Sequence, residues 1–538
     1  MFRRRETGNM DLFVAIIKWR VIRLLLVFSL IHVSLVRAAD DISYTLEALT
    51  TMGTGDYSPL WLNANKYGLS SLDRNNGYLR VTLSHPIEKD SLRTWAVGYG
   101  LDMAVAYNHT SSFLLQQAYV EGRWRKASLQ VGSKELPMEM KNLELSSGSQ
   151  VLGINARPIP QIRLSFPEYV DVPLMAHWLQ FKGHLAYGWF TDNGWQKDFA
   201  YGKANYTEDV LFHSKAGFFR FGKPNGHFSA EIGMEMGCQF GGHSYYKSGN
   251  SYKELNVNPV TMKSYLRALI PGGNDGDNAN PDQNYQGTDG NHVGAWMLRL
   301  RYKQPTWTVN LYGEHYFEDL SAMFQLDYDN YTTGEKWMEK HGNRFLLYDF
   351  KDMLLGVELN LKRGAWLNDL VIEYIYTKYQ SGPIFSNHKQ YMPDHIGGKD
   401  NYYLHSIYNG WHHWGQVMGN PLYRSPLYNS NGSLKVQDNR FYAFHMGVSG
   451  NPGLGLHYRL LGSLQKGYGS YISPYDDPKD NMSLLAEVSY HLPNNIAKGW
   501  KLKLGIGYDH GDLLSWDYTT CDNIGLQLTV TKKGAIHF

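Results

Sequence analysis

The chain closes on Asn523–Phe538, NIGLQLTVTKKGAIHF, in which Ile524, Leu526, Leu528 and Val530 occupy every second position and the last residue is aromatic. Terminal residues of a soluble domain usually fray, because they make few contacts. Here the two-residue period predicts a strand with its apolar side chains on one face. Lys532 and Gly534 interrupt the alternation before Ile536 and Phe538. A final strand stays ordered to its end if it has a partner, and a closed barrel supplies one by pairing the last strand with the first.

The same period recurs upstream. From Trp95 to Tyr107 the odd positions are Trp, Val, Tyr, Leu, Met, Val and Tyr, and the even ones are small or polar. Trp296, Leu298, Leu300 and Tyr302 alternate with Arg299, Arg301 and Lys303, and Trp500, Leu502, Leu504, Ile506 and Tyr508 with Lys501, Lys503 and Asp509. A soluble sandwich would place such apolar faces against a second sheet. An outer-membrane barrel would turn them to lipid and line its lumen with the polar ones. The stripes begin and end in Trp or Tyr, which belong at the two lipid–water boundaries, and this favours the barrel. Tight connections (Trp124–Leu129, Tyr302–Trp307, Leu361–Leu367) also alternate with long polar stretches near 268–292 and 381–440. Short periplasmic turns and long outer loops have that asymmetry.

Composition agrees. The 538 residues include 39 Tyr, 15 Trp and 54 Gly with only 19% charged residues, a balance that suits aromatic-rich strands joined by turns. Mean hydropathy of −0.42 excludes a polytopic helical membrane protein. A formal charge of +2 gives no electrostatic basis for nucleic-acid binding. Arg20 and Arg23 precede LLLVFSLIHVSLV and then Val36–Ala38, which reads as a secretory signal over residues 1–38. The apolar run is shorter than the ~20 residues of a spanning helix. Residues 39–538 then form the barrel. At ~55 residues per hairpin, the ~500 mature residues predict roughly 18 strands. Cys238 and Cys521 are expected as unpaired structural cysteines, with a disulfide as the alternative.

Several stretches resemble the Wzi-type capsule assembly proteins of bacterial outer membranes, in the Tyr- and Trp-rich style of the Bacteroidetes branch. They are YSPLWLNANKYG (57–68), NARPIPQIRL (155–164), GMEMGCQFGG (233–242), GNHVGAW (290–296), EHYFEDLS (314–321) and DNYYLHSIYNGWHHWGQVMGNPL (400–422). The resemblance implies a loop-closed outer-membrane barrel that holds exported capsular polysaccharide at the cell surface, with no enzymatic step and no cofactor. Its implied partners are capsular polysaccharide and outer-membrane lipid, and contact with the polysaccharide export machinery stays open. A diffusion porin and an outer-membrane hydrolase are the alternatives that the barrel alone permits.

No family motif transfers binding residues, so candidates rest on chemistry. Sugars need aromatic faces together with amide, carboxylate and imidazole groups. Asp400, Asn401, Tyr402, Tyr403, His405, Trp411 and Trp414 offer these in one long polar loop, and are expected to form an outer glycan platform. The alternative is an ordered loop whose aromatics pack on one another. Arg157 and Arg163 flank two prolines in a segment expected to fold inward, as a secondary contact for sugar carboxylates. His405, His412 and His413 lack the spacing of a zinc site, and Asp275, Asp277 and Asp282 lack the key positions of a calcium loop, so no metal is expected. Glu314, Glu318 and Asp319 are expected as lumen residues paired with Arg299 and Arg301 rather than a glycosidase pair.

Overall fold

The computed structural model describes residues 41–537 apart from 88–93, 250, 258–259, 271–289, 319–338, 340–350, 365, 381–400 and 406. The signal expected over 1–38, Phe538, Asp275, Asp277, Asp282, Asp319 and Asp400 lie outside the described residues.

Eighteen antiparallel strands form one closed sheet. The first six are β1 (Ile42–Thr54), β2 (Asn76–His85), β3 (Trp95–Tyr107), β4 (Phe113–Trp124), β5 (Ala127–Ser133) and β6 (Gln161–Asp171). Then come β7 (Leu179–Trp189), β8 (Leu211–Phe221), β9 (Phe228–Phe240), β10 (Asn291–Lys303), β11 (Trp307–Glu318) and β12 (Met353–Leu361). The last six are β13 (Asp369–Tyr376), β14 (Phe441–Gly453), β15 (Leu456–Gly469), β16 (Pro474–His491), β17 (Trp500–Gly511) and β18 (Cys521–Ile536). Each strand pairs with its neighbours in sequence, and β18 returns to β1 in unbroken register from Ile42↔Ile536 to Thr54↔Ile524. This seam keeps the C-terminal strand paired almost to the end of the chain.

The faces are inverted relative to a soluble protein. On β18 Ile524, Leu526 and Leu528 are exposed, while Asn523, Gln527, Thr529 and Thr531 between them are buried. On β3 Leu101 and Val105 point out, and Asp102 inside is fully buried against Arg80 of β2. Burying polar side chains while exposing Leu and Ile makes sense only when the outer solvent is hydrocarbon and the inner surface finds hydrogen bonds. Trp95, Trp124, Trp366 and Trp500 stand exposed at one end of the wall, and Tyr107 and Trp189 at the other, as two aromatic girdles.

The ends differ. At one, connections such as Arg125–Lys126, 304–306 and Leu454–Gly455 are tight; at the other lie the described stretches 55–75, 134–160, 190–210, 241–249, 260–270, 377–380 and 407–440. Among the described residues no helix is long and apolar enough to cross a membrane, and Cys238, buried, and Cys521, half-buried, form no disulfide. Purified protein in detergent should show a β-dominated circular dichroism spectrum and change its SDS gel mobility on boiling, as the seam melts only with heat. A helix-rich spectrum or identical mobility would contradict the closed sheet.

Candidate functional site

A polar lumen of this width must be hydrated or filled. Here three stretches from the loop side enter it and form a hydrophobic core of their own. The first carries a short helix, Leu60–Asn63. Leu62 presses on wall glycines: a Cβ on Gly507 would lie 2.8 Å from Leu62 Cγ, and one on Gly525 the same distance from Leu62 Cδ1. Trp61 packs on His445, with ring centroids 4.8 Å apart.

The second stretch, 134–160, has no strand, which accords with the inward fold expected from its prolines. Its small-residue run Ser146–Gln150 crosses the lumen with backbone N–H groups unpaired by any sheet, and wall carboxylates accept them. Ser147 N donates to Glu373 Oε2 at 2.8 Å, Gln150 N to Glu314 Oε2 at 2.9 Å and Leu152 N to Glu235 Oε2 at 3.2 Å. Lys141 lies 3.5 Å from Glu314 and 4.0 Å from Glu373, above the Tyr312 ring. The expected partners of Glu314 are therefore corrected. Arg299 pairs instead with Glu231 at 2.6 Å and Arg301 donates to Asn310, because both arginines lie further toward the turn-side end of the wall. Glu318 accepts from the Tyr316 hydroxyl and from Tyr403 N. These carboxylates hold the plug.

The third stretch, 401–440, locks onto the second. Trp411 is 0% exposed, its Nε1 donates to the Val151 carbonyl at 2.8 Å, and Gly237 of β9 leaves the room its ring occupies. Tyr402 donates to Asp352 at 2.9 Å, and the Tyr403 hydroxyl donates to the Gln150 carbonyl while its ring lies 4.0 Å from that of Tyr423. The expectation of an outer platform is thus corrected for Tyr402, Tyr403 and Trp411. All three are fully buried inside the barrel, because each has both a ring-sized space and a polar partner there.

Trp414 has a different fate. It sits at the tip of a hairpin whose strands are His412–His413 and Gln416–Val417. Trp414 and Gly415 both have positive φ, 53° and 76°, the geometry of a two-residue primed turn that favours Asn-Gly. A bulky residue in that conformation is strained by about 1 kcal/mol or more. Its ring is half-buried, with the Arg157 guanidinium 4.2 Å from the centroid on one side and Trp195 at 6.5 Å. Trp195 stacks on Phe199, centroids 4.9 Å apart, on the short helix Trp195–Ala200. Trp414, Trp195 and Phe199 so form a half-buried aromatic ledge on the loop side with a cation beside it.

Burial lowers the Arg157 pKa to about 10, leaving it charged at neutral pH, and its guanidinium also donates to Thr110. The same burial lowers His412 to about 3 and His413 to about 4, so both are neutral. His413 anchors the hairpin: its Nδ1 donates to the Arg157 carbonyl at 2.9 Å and its Nε2 accepts from Thr191 N at 3.3 Å. Below the ledge lies a cavity of about 90 Å³ whose lining includes Arg157, Arg163, Gln161, His184 and Glu235. The structure thus brings Arg157 and Arg163 to one space, although Arg163 stands on β6 rather than in the inward stretch. Asn401 and His405 are half-buried near the buried tyrosines, and burial lowers His405 to about 4. Among the described residues no group of three His, Cys, Asp or Glu could hold a metal ion. Trp195 and Phe199 escaped the sequence reading; their i, i+4 spacing after Asn193-Gly194 was the available signal.

The chain matches no protein-family model and no curated protein sequence. Among solved structures it is similar to Wzi of Escherichia coli, an outer membrane protein involved in group 1 capsule assembly and a carbohydrate-binding β-barrel. That likeness has 14% identity, covers 92% of this chain and 84% of Wzi, and has a TM-score of 0.51. OccAB4 of Acinetobacter baumannii and OprD of Pseudomonas aeruginosa, each 9% identical with 93% of this chain covered, have TM-scores of 0.44 and 0.42 and cover 99% and 95% of those chains. At such identities the likeness to Wzi shows the fold alone: this is an outer-membrane β-barrel.

Two substitutions three residues apart should separate packing from display. Trp411→Ala should lower plug stability by about 3–5 kcal/mol, the usual cost of emptying a buried tryptophan site. Trp414→Gly should leave the thermal midpoint unchanged or raise it, because it relieves the turn. A large loss of stability in Trp414→Gly would show that its ring is packing too.

Acidification gives a further check. Unfolded histidines take up protons near pH 6.5 and the buried rings resist until about 4 or 3, so their contribution is present above 6.5 and lost as pH falls through that window. Asp438, raised to about 7 by burial, works in the opposite sense between about 4 and 7. Comparing protease protection of the hairpin in wild type and His412→Gln/His413→Gln isolates the histidines, and the variant should lose less protection on acidification.

Proposed function

We propose that this barrel is a non-enzymatic member of the Wzi-type capsule assembly proteins, holding exported capsular polysaccharide at the cell surface. The observation that carries the reading is the strained hairpin tip. The chain places a tryptophan where Asn or Gly would fit at lower energy, and leaves it only half-buried beside Trp195, Phe199 and Arg157. Strain kept at a position that packing does not seal points to use. Flat aromatic faces stack on the C–H side of a pyranose, and a guanidinium adds hydrogen bonds to hydroxyl or carboxylate oxygens. The glycan contacts proposed from sequence at Asn401, His405 and Trp414 keep accessible surface, as do Arg157 and Arg163. Asp400 stays within the proposal untested by geometry. The inward stretches support a barrel that presents a surface in preference to a path, and the likeness to a carbohydrate-binding barrel accords with that. The carboxylates that a hydrolase would need are engaged in holding the plug.

The alternative of a diffusion porin is decided by conductance. Purified protein in planar bilayers should pass little steady current, and large stable single-channel steps would favour the porin. For glycan retention, Trp414→Gly combined with Trp195→Ala should weaken binding of the strain's own capsular polysaccharide about ten-fold, by the ~0.5–1.5 kcal/mol of each aromatic contact. Heat-modifiable mobility should persist. Undiminished binding in that folded variant would remove the ledge from the proposal.

A further inference from the structure

The turn-side end repeats one local arrangement that the lumen does not use: an outward tryptophan next to exposed cations. Trp124 is followed by Arg125 and Lys126 at the β4–β5 turn, all three exposed. Lys362 and Arg363 precede the exposed Trp366 in the β12–β13 turn. Lys498 precedes Trp500 of β17, and Lys532 of β18 is its cross-strand neighbour. In two of these the cation lies against the ring: Arg125 is 5.4 Å from the Trp124 centroid and Lys532 is 5.8 Å from that of Trp500. Lys223 and Lys303 add exposed cations at the next turns along the rim.

Among the described residues, three acids of this rim are already matched. Glu168 lies 3.8 Å from Lys126, Asp171 2.7 Å from His177, and Asp41 contacts His537. Among the described residues Arg125, Arg363 and Lys498 make no ion pair. The loop-side ends of β16 to β18 carry the opposite sign, with Asp476, Asp477, Asp517 and Asp522 exposed.

We infer that the turn-side rim binds the headgroups of anionic glycerophospholipids in the leaflet it faces. Tryptophans with one wet edge set the depth of the lipid–water boundary, so cations packed on or beside them stand at phosphate level. Their position beside outward rings favours lipid over a soluble acidic partner, which would meet cations projecting along the barrel axis. Each lysine or arginine near an anionic surface strengthens binding roughly five-fold at moderate salt.

Native mass spectrometry of the detergent-solubilised full chain, titrated with phosphatidylglycerol and with phosphatidylethanolamine, tests this. Phosphatidylglycerol should be retained at least ten-fold better, and Arg125→Gln/Lys362→Gln/Arg363→Gln should lose most of that preference while keeping heat-modifiable mobility. Equal retention of the two lipids, or an unchanged preference in the folded variant, would overturn the inference. If the variant does not fold, wild type decides alone. Its preference should collapse between about 0.05 M and about 0.5 M salt by screening, and survival at high salt would overturn it. Polyglutamate displacing phosphatidylglycerol at equal charge concentration would also overturn it, in favour of a soluble acidic partner.

Discussion

Hydrocarbon offers no hydrogen bonds, so every backbone N–H and C=O of a chain that crosses it must be paired within the protein. The β1–β18 seam is where this condition is met last, and the rest of the molecule follows from it. Without that ladder two strand edges would lie open in lipid. With it, the alternation of each strand sends Leu, Ile and Val outward and Asp102, Gln527 or Thr529 inward. Closing the wall therefore creates a polar interior as an unavoidable by-product of period two.

That interior sets a second condition. A stretch without secondary structure can enter a confined space only if its own backbone is satisfied there. Glu235, Glu314 and Glu373, one on each of three strands, accept the N–H groups of Leu152, Gln150 and Ser147. One lysine, Lys141, lies near two of these carboxylates, so ion pairing alone does not compensate their burial. Backbone donors and the Tyr312 hydroxyl supply the remainder, and a carboxylate that accepts several hydrogen bonds tolerates low dielectric. The apolar members Trp61, Trp411, Tyr403 and Tyr423 then pack as a core enclosed by the barrel. Rigidity of this core is what lets the chain hold Trp414 at a strained hairpin tip.

The sequence carried much of the fold, because strand faces, girdles and tight turns are local properties. The stripes of Trp95–Tyr107, Trp296–Tyr302 and Trp500–Tyr508 all lie on the outer wall, and the tight connections at Arg125–Lys126 and 304–306 all lie at one end. The candidate site was legible only in part. Arg157 and Trp414 were singled out separately, and nothing in the 256 positions between them announces that they touch. Glu314 was read as a lumen residue, but one of its partners is a backbone amide, which has no letter in the sequence.

What the sequence determined by itself was the closed barrel and the direction of each wall side chain, since a two-residue period leaves only two faces and the composition of each names its solvent. What only the tertiary structure decided was the use of the loops. Trp411 and Trp414 stand three residues apart in one aromatic motif, yet the first is sealed behind Val151 and Gly237 and the second keeps part of its surface open beside Arg157 and Trp195. A tryptophan can fill a core or offer a surface with the same chemistry. Which it does depends on the space left by residues far away in the chain, and that space exists only once the barrel has closed.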